Sequence, residues 1–249
     1  MRTCWVQFKR ELGAILLSPI AYVLLVGFTM LNAFAFQLAM ELMSRGMRNL
    51  SIIQLFFGMF FVWFLMILFI PIMTMRLFSE EYKSGTIEML LTAPIQEWEV
   101  VLAKFFGALA FYMVLWAPSV LFYVAFQTMT NNQLPANWPA MGMAYGMVFL
   151  IGMFYISIGL FASSLTKNQI IAAVVSFAGI ALLFFTGFLA GLTTNSYLVE
   201  MLNYISARNH LYIFSNGTFD TRPVIFYLSG TVLFLILTER TLAIRKLKA

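Results

Sequence analysis

Charge is scarce in this sequence. Only 10% of the 249 residues are Asp, Glu, Lys or Arg, whereas 62% are apolar and the mean hydropathy is +0.90. Soluble domains carry roughly 25% charged residues, so the composition excludes a soluble globular protein. The apolar runs are continuous and lack the alternation over about ten residues that is typical of a membrane β-barrel. The sequence therefore predicts an all-α integral membrane protein.

Residues that bind metals or form disulfides are also scarce. The single cysteine, Cys4, excludes an intramolecular disulfide, and the single histidine, His210, cannot form a metal site alone. The net charge of +5 does not indicate nucleic-acid binding, because the basic residues flank the apolar runs singly or in small groups. We expect a structural role for His210, no bound metal and no nucleic-acid partner.

Common catalytic and nucleotide-binding motifs are missing. The sequence contains no G-x-x-x-x-G-K-[ST], no H-E-x-x-H and no G-x-S-x-G, which argues against ATP binding by a phosphate loop and against a membrane protease or hydrolase. No Asp, Glu, Lys, Arg or His lies in the interior of a predicted span, which argues against an ion-coupled transporter. Carbonyl and hydroxyl groups alone can bind sodium, so this class is disfavoured rather than excluded.

Six apolar segments are long enough to cross a bilayer as helices. They are Ile20–Met40, Ile53–Met75, Phe105–Gln127, Met141–Leu165, Ile170–Leu192 and Pro223–Leu237, the last continuing helically to Arg240 or beyond. With a cytoplasmic N-terminus, eleven of the 15 Lys and Arg residues, including every lysine, lie on the inner side. This bias predicts cytoplasmic termini, a cytoplasmic loop at 76–104 and an outer loop at 193–222.

Two further helices are predicted outside the spans. Residues 1–18 precede the six-helix domain, 19–249, and their apolar residues recur at helical spacing, as expected of an amphipathic helix in the inner interface. In the outer loop, the spacing i, i+3, i+4, i+7 predicts one short helix that contains Leu198, Met201, Leu202 and Ile205.

Several pairs of small residues lie four positions apart, a spacing that lets helices approach closely. They are Gly142 and Gly146, Gly159 and Ser163, Ala172 and Ser176, and Gly187 and Gly191. We expect most of these pairs to pack within the chain, and about one in four to contact a second subunit.

The acidic residues are concentrated in one loop. Five of the ten lie between the second and third spans, namely Glu80, Glu81, Glu88, Glu97 and Glu99. We expect the second span to continue as a helix to about Tyr82, until Ser84-Gly85 breaks it. Residues 86–92 then form a short transverse helix, and Pro94 suits the first turn of the next helix.

This transverse helix has the features of a docking element. Its apolar side, Ile87, Leu90 and Leu91, can enter a groove of a partner, while glutamates complement basic residues around that groove. A solvated interfacial loop is the alternative.

The loop sequence RLFSEEYKSGTIEMLLTAPIQEWEVVLAKF, residues 76–105, resembles the signature of ABC-2 type permeases, the membrane subunits of many bacterial ABC exporters. The matching positions are Arg76, Ser79, Glu80, Glu81, Ser84, Gly85, Thr86, Glu88, Leu90, Leu91, Pro94, Trp98 and Lys104. Residues 18–23, Phe219-Asp220 and the basic tail 245–248 resemble the gliding-motility-associated branch of that family.

The resemblance implies a fold, a site and partners. The fold has six transmembrane helices, an N-terminal interfacial helix, a cytoplasmic coupling helix at 85–93 and a short outer helix before the sixth span, the plan of type V exporters. The ATPase-coupling residues are Glu80, Glu81, Ser84, Gly85, Thr86, Ile87, Glu88, Leu90, Leu91 and Pro94.

By the same resemblance, this chain has no catalytic residue and binds no cofactor, because ATP and magnesium bind a separate ATPase present in two copies. A second permease, identical or related, completes the complex in the bacterial inner membrane. Membrane lipid and an outer-face auxiliary subunit are further candidate partners.

Two other functions remain open. A non-transporting scaffold of a motility or envelope machine would not need the loop for a nucleotide-driven cycle, and a work-transmitting subunit of such a machine would act on an envelope apparatus instead of exporting a solute. A secondary transporter would need no ATPase. The sequence does not identify a substrate: the 27 Phe and 17 Met residues suit lipids, lipid-linked glycans or apolar peptides, but lipid-facing surfaces use the same residues.

Overall fold

The computed structural model describes residues 2–45, 50–86, 96–129 and 137–246. Within these ranges the chain forms helices and no strand, which confirms the all-α prediction. The helices are α1 (Arg2–Leu16), α2 (Pro19–Ser44), α3 (Ile52–Gly58), α4 (Phe60–Thr74), α5 (Ser79–Ser84), α6 (Glu97–Met129), α7 (Trp138–Leu165), α8 (Gln169–Leu192), α9 (Ser196–Ile205), α10 (Ala207–Ser215) and α11 (Thr221–Lys246).

Six segments in the described part are long and apolar enough to span a membrane, as predicted. They are α2, the α4–α5 segment, α6, α7, α8 and α11. The α4–α5 segment, α6 and α7 form the centre, since 61%, 67% and 72% of their most apolar stretches are buried. In α8 and α11 only 22% of the most apolar stretch is buried, so these two helices present apolar side chains to the surroundings.

The N-terminal segment forms the predicted helix and packs mainly along α6. The two helices approach closely at Gly107, where an added Cβ would lie 3.3 Å from the Cβ of Glu11. Gln7 is buried, whereas Trp5 and Val6 are exposed. α1 is thus a packed part of the bundle with an exposed apolar side.

The second span is not the continuous helix that the sequence predicts. Met59 has extended backbone angles (φ −66°, ψ 136°) and separates α3 from α4. A turn at residues 75–78 interrupts the predicted helical continuation, which resumes as α5 and extends past Tyr82 to Ser84. Trp63 Nε1 donates to the carbonyl of Phe57 at 3.2 Å and so satisfies an oxygen at the broken end of α3.

Two short helices, not one, precede α11. α9 covers the predicted pattern, and Ser206 then starts α10 by accepting a hydrogen bond from the Asn209 N–H at 3.3 Å. α10 packs against α3, α7 and α8. We call this end of the bundle, which carries α9 and α10, the far end.

His210 lies on α10 and is 4% exposed. Its Nδ1 is 3.1 Å from the hydroxyl of Tyr227 on α11. Burial lowers the pKa of His210 to about 4, although Asp220 and the Tyr204 carbonyl act in the opposite direction. The imidazole is therefore neutral at pH 7 and joins α10 to α11.

Most of the small residues predicted to allow close packing do so within the chain. A Cβ on Gly159 would lie 2.1 Å from Thr74 Oγ1, and one on Gly187 would lie 2.5 Å from Ser206 Oγ. Gly142 and Gly146 instead face open space on α7, with no atom within 4 Å of an added Cβ. This pair is available for contact with lipid or another subunit, and so is Gly191 on α8, which also has no atom within 4 Å of an added Cβ.

We predict that Gly159→Ala destabilises the protein by about 1–3 kcal/mol, because the new methyl group forces α7 away from α4. Gly146→Ala is the matched control on the same helix; it has open space and gains helix propensity, so stability should be unchanged or higher. Thermal unfolding in detergent measures both, and equal melting temperatures would contradict the close α4–α7 contact.

His210 predicts a pH dependence of stability. Its folded-state pKa of about 4 lies below the ordinary value of 6.5, so between these values the unfolded chain binds a proton that the folded chain does not. The stability is fully present above about pH 6.5 and is lost as the pH falls toward 4. His210→Gln should lose less thermal stability between pH 7 and pH 5 than the unmodified chain, and equal losses would contradict the burial argument.

Candidate functional site

The candidate coupling residues begin at one end of the bundle, which we call the loop end. Glu80, Glu81 and Ser84 lie on α5, and Gly85 and Thr86 follow it. The remaining predicted residues, Ile87, Glu88, Leu90, Leu91 and Pro94, lie outside the described residues, as does most of the predicted transverse helix. The structure describes the incoming limb of the loop, residues 75–86, and its outgoing limb, residues 96–104.

The incoming limb ends where the sequence predicts. Gly85 has φ 74° and ψ 0°, a left-handed conformation that glycine adopts without strain and that commonly ends helices. Ser84 Oγ donates to the carbonyl of Glu80 at 2.9 Å and lies 2.8 Å from Thr86 Oγ1. The predicted break at Ser84-Gly85 is therefore confirmed.

A buried lysine joins both limbs to the N-terminal helix. The Lys104 side chain, on the outgoing limb, is 3% exposed. Its Nζ donates to Glu81 Oε1 at 2.7 Å and to Glu11 Oε2 at 3.1 Å, and it lies 5.3 Å from the centre of the Phe78 ring. A buried ammonium group is tolerated only when it is neutralised, and here two carboxylates neutralise it.

The two adjacent glutamates of the signature differ in their surroundings. Glu81 is directed at Lys104, and Arg10 Nη2 approaches its Oε1 at 3.9 Å. Glu80 is exposed and makes no ion pair with any described residue. Glu80 therefore faces outward, whereas Glu81 belongs to the group of ion pairs around Lys104.

A serine of α7 holds the turn that precedes α5. Ser163 Oγ accepts hydrogen bonds from the N–H groups of Phe78 and Ser79 at 3.0 and 3.1 Å, and it donates to the Met75 carbonyl at 3.1 Å. These backbone groups lack helical partners because α4 has ended. Ser163 therefore replaces the missing helical bonds and fixes α5 to α7.

The end of α11 contacts both limbs. The Arg245 guanidinium lies 4.3 Å from the centre of the Tyr82 ring, and its Nη2 donates to the Leu165 carbonyl at 2.7 Å. The next residue, Lys246, contacts Glu97 Oε1 on the outgoing limb at 2.6 Å. Successive residues of the last helix thus touch α5 and the start of α6.

The polar side chains of the loop end mainly bond to one another and to backbone groups. No group of three or more His, Cys, Asp or Glu that could hold a metal occurs in the described part. The polar groups instead connect α1, α5, α6, α7 and α11 at the base of one loop. These contacts join the base of the loop to five helices.

Sequence reasoning singled out some of these residues and missed others. Lys104 and Glu81 belong to the recognised signature, whereas Glu11, Ser163 and Arg245 were not identified as parts of the site. Glu11 is the one acidic residue of a helix that also carries Arg2, Lys9 and Arg10, and this is the signal that could have indicated it. The role of Ser163 depends on a broken helix that the sequence did not reveal.

Comparison with known protein families gives one result. A model described as "ABC-2 family transporter protein" matches residues 11–248, nearly the whole chain. No curated protein matches the chain.

We predict that Lys104→Met lowers the free energy of unfolding by about 2–4 kcal/mol, because Glu11 and Glu81 are left without their shared cation. Lys83→Met is the matched control, since Lys83 is exposed on α5 and should change stability by less than about 0.5 kcal/mol. Both are measured by thermal unfolding in detergent.

Adding Glu11→Gln and Glu81→Gln to Lys104→Met should restore most of the loss, since no unpaired carboxylate remains. A triple variant no more stable than Lys104→Met alone would contradict the ion cluster as the cause.

Proposed function

Because the chain belongs to the ABC-2 transporter family, we propose that it is the membrane-spanning permease subunit of a bacterial ABC exporter, driven by a separate ATPase. The family consists of membrane subunits without a nucleotide-binding domain of their own, and membership implies an ABC ATPase partner. In this proposal the chain performs no bond chemistry and moves a substrate by changing its packing.

The observation that supports coupling most directly is the connection of the loop to the spans. Lys104 ties the limbs to α1, Ser163 ties α5 to α7, and Arg245 ties α5 to α11. A partner that moves the loop therefore moves helices from both the centre and the surface of the bundle.

We assign the coupling helix to residues 85–93, seated in a groove of the ATPase. ATP binding, with magnesium, closes two ATPase subunits, and the coupling helices carry this movement into two permeases. Exposed Glu80 is placed to meet basic residues at the groove, and Glu81 positions the limb internally. The second permease is an identical or related chain, and the apolar surfaces of α8 and α11 fit such a partner or lipid.

The basic residues support an orientation with cytoplasmic termini and the loop end in the cytoplasm of a bacterial inner membrane. The far end then faces outward, where an auxiliary subunit could bind. Export is the direction implied by the resemblance.

Transmission of work is the second candidate function. Residues 18–23 and 219–220 resemble the gliding-motility-associated branch, which stays a prediction. The same ATPase-driven movement of α5 and α6 would then act on an envelope machine instead of a solute.

We predict that Glu88→Arg and Gly85→Pro uncouple ATP hydrolysis by the partner ATPase from the proposed function of the permease. Insertion of the chain into the membrane should remain intact. Glu88→Arg reverses a charge at the proposed groove, and proline cannot adopt the φ of 74° found at Gly85. Pull-down of the tagged chain in mild detergent, with mass spectrometry of the co-purifying chains and an ATPase assay, measures both effects.

Glu200→Arg is the control, because Glu200 is exposed on α9 at the far end. The unmodified chain and this control should recover a phosphate-loop ATPase, and Glu88→Arg should lose most of it. Normal ATPase binding and activity in both loop variants would contradict the coupling-helix assignment. Recovery of envelope components without any ATPase would instead favour a scaffold.

A further inference from the structure

The far end contains a cavity of about 470 Å³ that the coupling mechanism does not use. It lies where α3 breaks from α4, beside α8, α9 and α10. One part of its wall is apolar, including Leu42, Leu55 and Phe57. Another part is polar and comes from α9 and α10. We call it the far-end cavity.

The far-end cavity is lined by one charged side chain, Arg208. Its guanidinium lies 5.4 Å from the centre of the Phe188 ring and forms no ion pair with any residue in the described ranges. A guanidinium group offers two parallel donors that fit a phosphate or carboxylate. The described residues of the wall include no acidic side chain, so the charge that they contribute is the positive charge of Arg208, which favours a negative charge in a ligand.

The polar side chains of the wall divide into two sets. The first set already has hydrogen-bond partners within the protein. Gln54 accepts from the Ser51 N–H and donates to Asn216. Ser206 caps α10, and Ser215 donates to a backbone carbonyl.

The side chains of Asn203, Asn209 and Tyr212 form the second set, and they make no hydrogen bond with any described residue. They offer both donors and acceptors beside Arg208. Hydroxyl groups, which also donate and accept, are their natural partners.

We propose that the far-end cavity binds a phosphodiester with a single negative charge and a hydroxylated body. The phosphate contacts Arg208, the hydroxyls contact Asn203, Asn209 and Tyr212, and the apolar wall holds an attached hydrocarbon. Two sources share this chemistry, a phospholipid head group such as that of phosphatidylglycerol and the corresponding soluble phosphodiester, glycerophosphoglycerol.

The proposal is tested on the full purified chain by native mass spectrometry during titration with phosphatidylglycerol or phosphatidylcholine. Phosphatidylglycerol should bind in preference, and Arg208→Gln should weaken it by at least about tenfold, as expected for loss of charge-assisted hydrogen bonds. Asn209→Asp, which places a carboxylate beside Arg208, should weaken it similarly. Residue 209 lies in the first turn of α10, where an acidic side chain is favourable, so the Asn209→Asp variant should still fold.

Arg222→Gln is the matched control. Arg222 is exposed at the start of α11 and does not line the cavity, so the same loss of charge should change binding by less than about twofold. Melting temperatures establish that each variant is folded. Equal binding of the two lipids, or equal effects of the two arginine variants, would overturn the proposal.

A parallel titration with glycerophosphoglycerol distinguishes the source. Arg208-dependent binding of phosphatidylglycerol alone supports a membrane lipid, and Arg208-dependent binding of the soluble compound supports a soluble ligand. If neither binds through Arg208, the cavity is not a phosphodiester site.

Discussion

The need to neutralise one buried ammonium group organises the loop end. Lys104 lies at the start of a long apolar helix and is almost inaccessible to solvent, so its charge must be matched inside the protein. The two carboxylates that match it come from α1 and α5. Moving either segment away from α6 would remove one of the two carboxylates that neutralise Lys104. This contact joins the N-terminal helix to the base of the loop, and Ser163 and Arg245 extend the connection to α7 and α11.

The six spans differ in burial: three are central, α8 and α11 are the least buried, and α2 is intermediate. The central group, α4, α6 and α7, is closely packed through side chains such as Tyr112 and Trp116, which are almost fully buried. Such a core moves as a unit, because close-packed interiors do not deform continuously. α8 and α11 expose apolar surface over most of their length, which suits lipid or a second permease. Movement at the loop would therefore be passed through the centre to surfaces where subunits could rearrange.

Composition and hydropathy predicted much of this fold, because apolar length is a local property of the sequence. The spans and the break at Ser84-Gly85 follow from local patterns. The break at Met59 was missed although Gly58 directly precedes it, because a single glycine inside an apolar run is also tolerated within a helix. α10 was missed although Ser206 is a good N-cap. In the sequence, Lys104 lies 93 positions from Glu11 and 23 positions from Glu81. A single sequence carries no signal of contacts over such separations.

The central claim is that the 76–104 loop docks on an ATPase and carries its movement into the spans. A photo-reactive amino acid at Thr86, the last described residue of the incoming limb, tests this in cells. The account predicts cross-linking to a phosphate-loop ATPase, with a yield that changes when vanadate traps the ATPase in its closed state. Cross-links only to lipid or to other envelope proteins would contradict this account. A cross-linking yield that does not change with the nucleotide state of the ATPase would also contradict it.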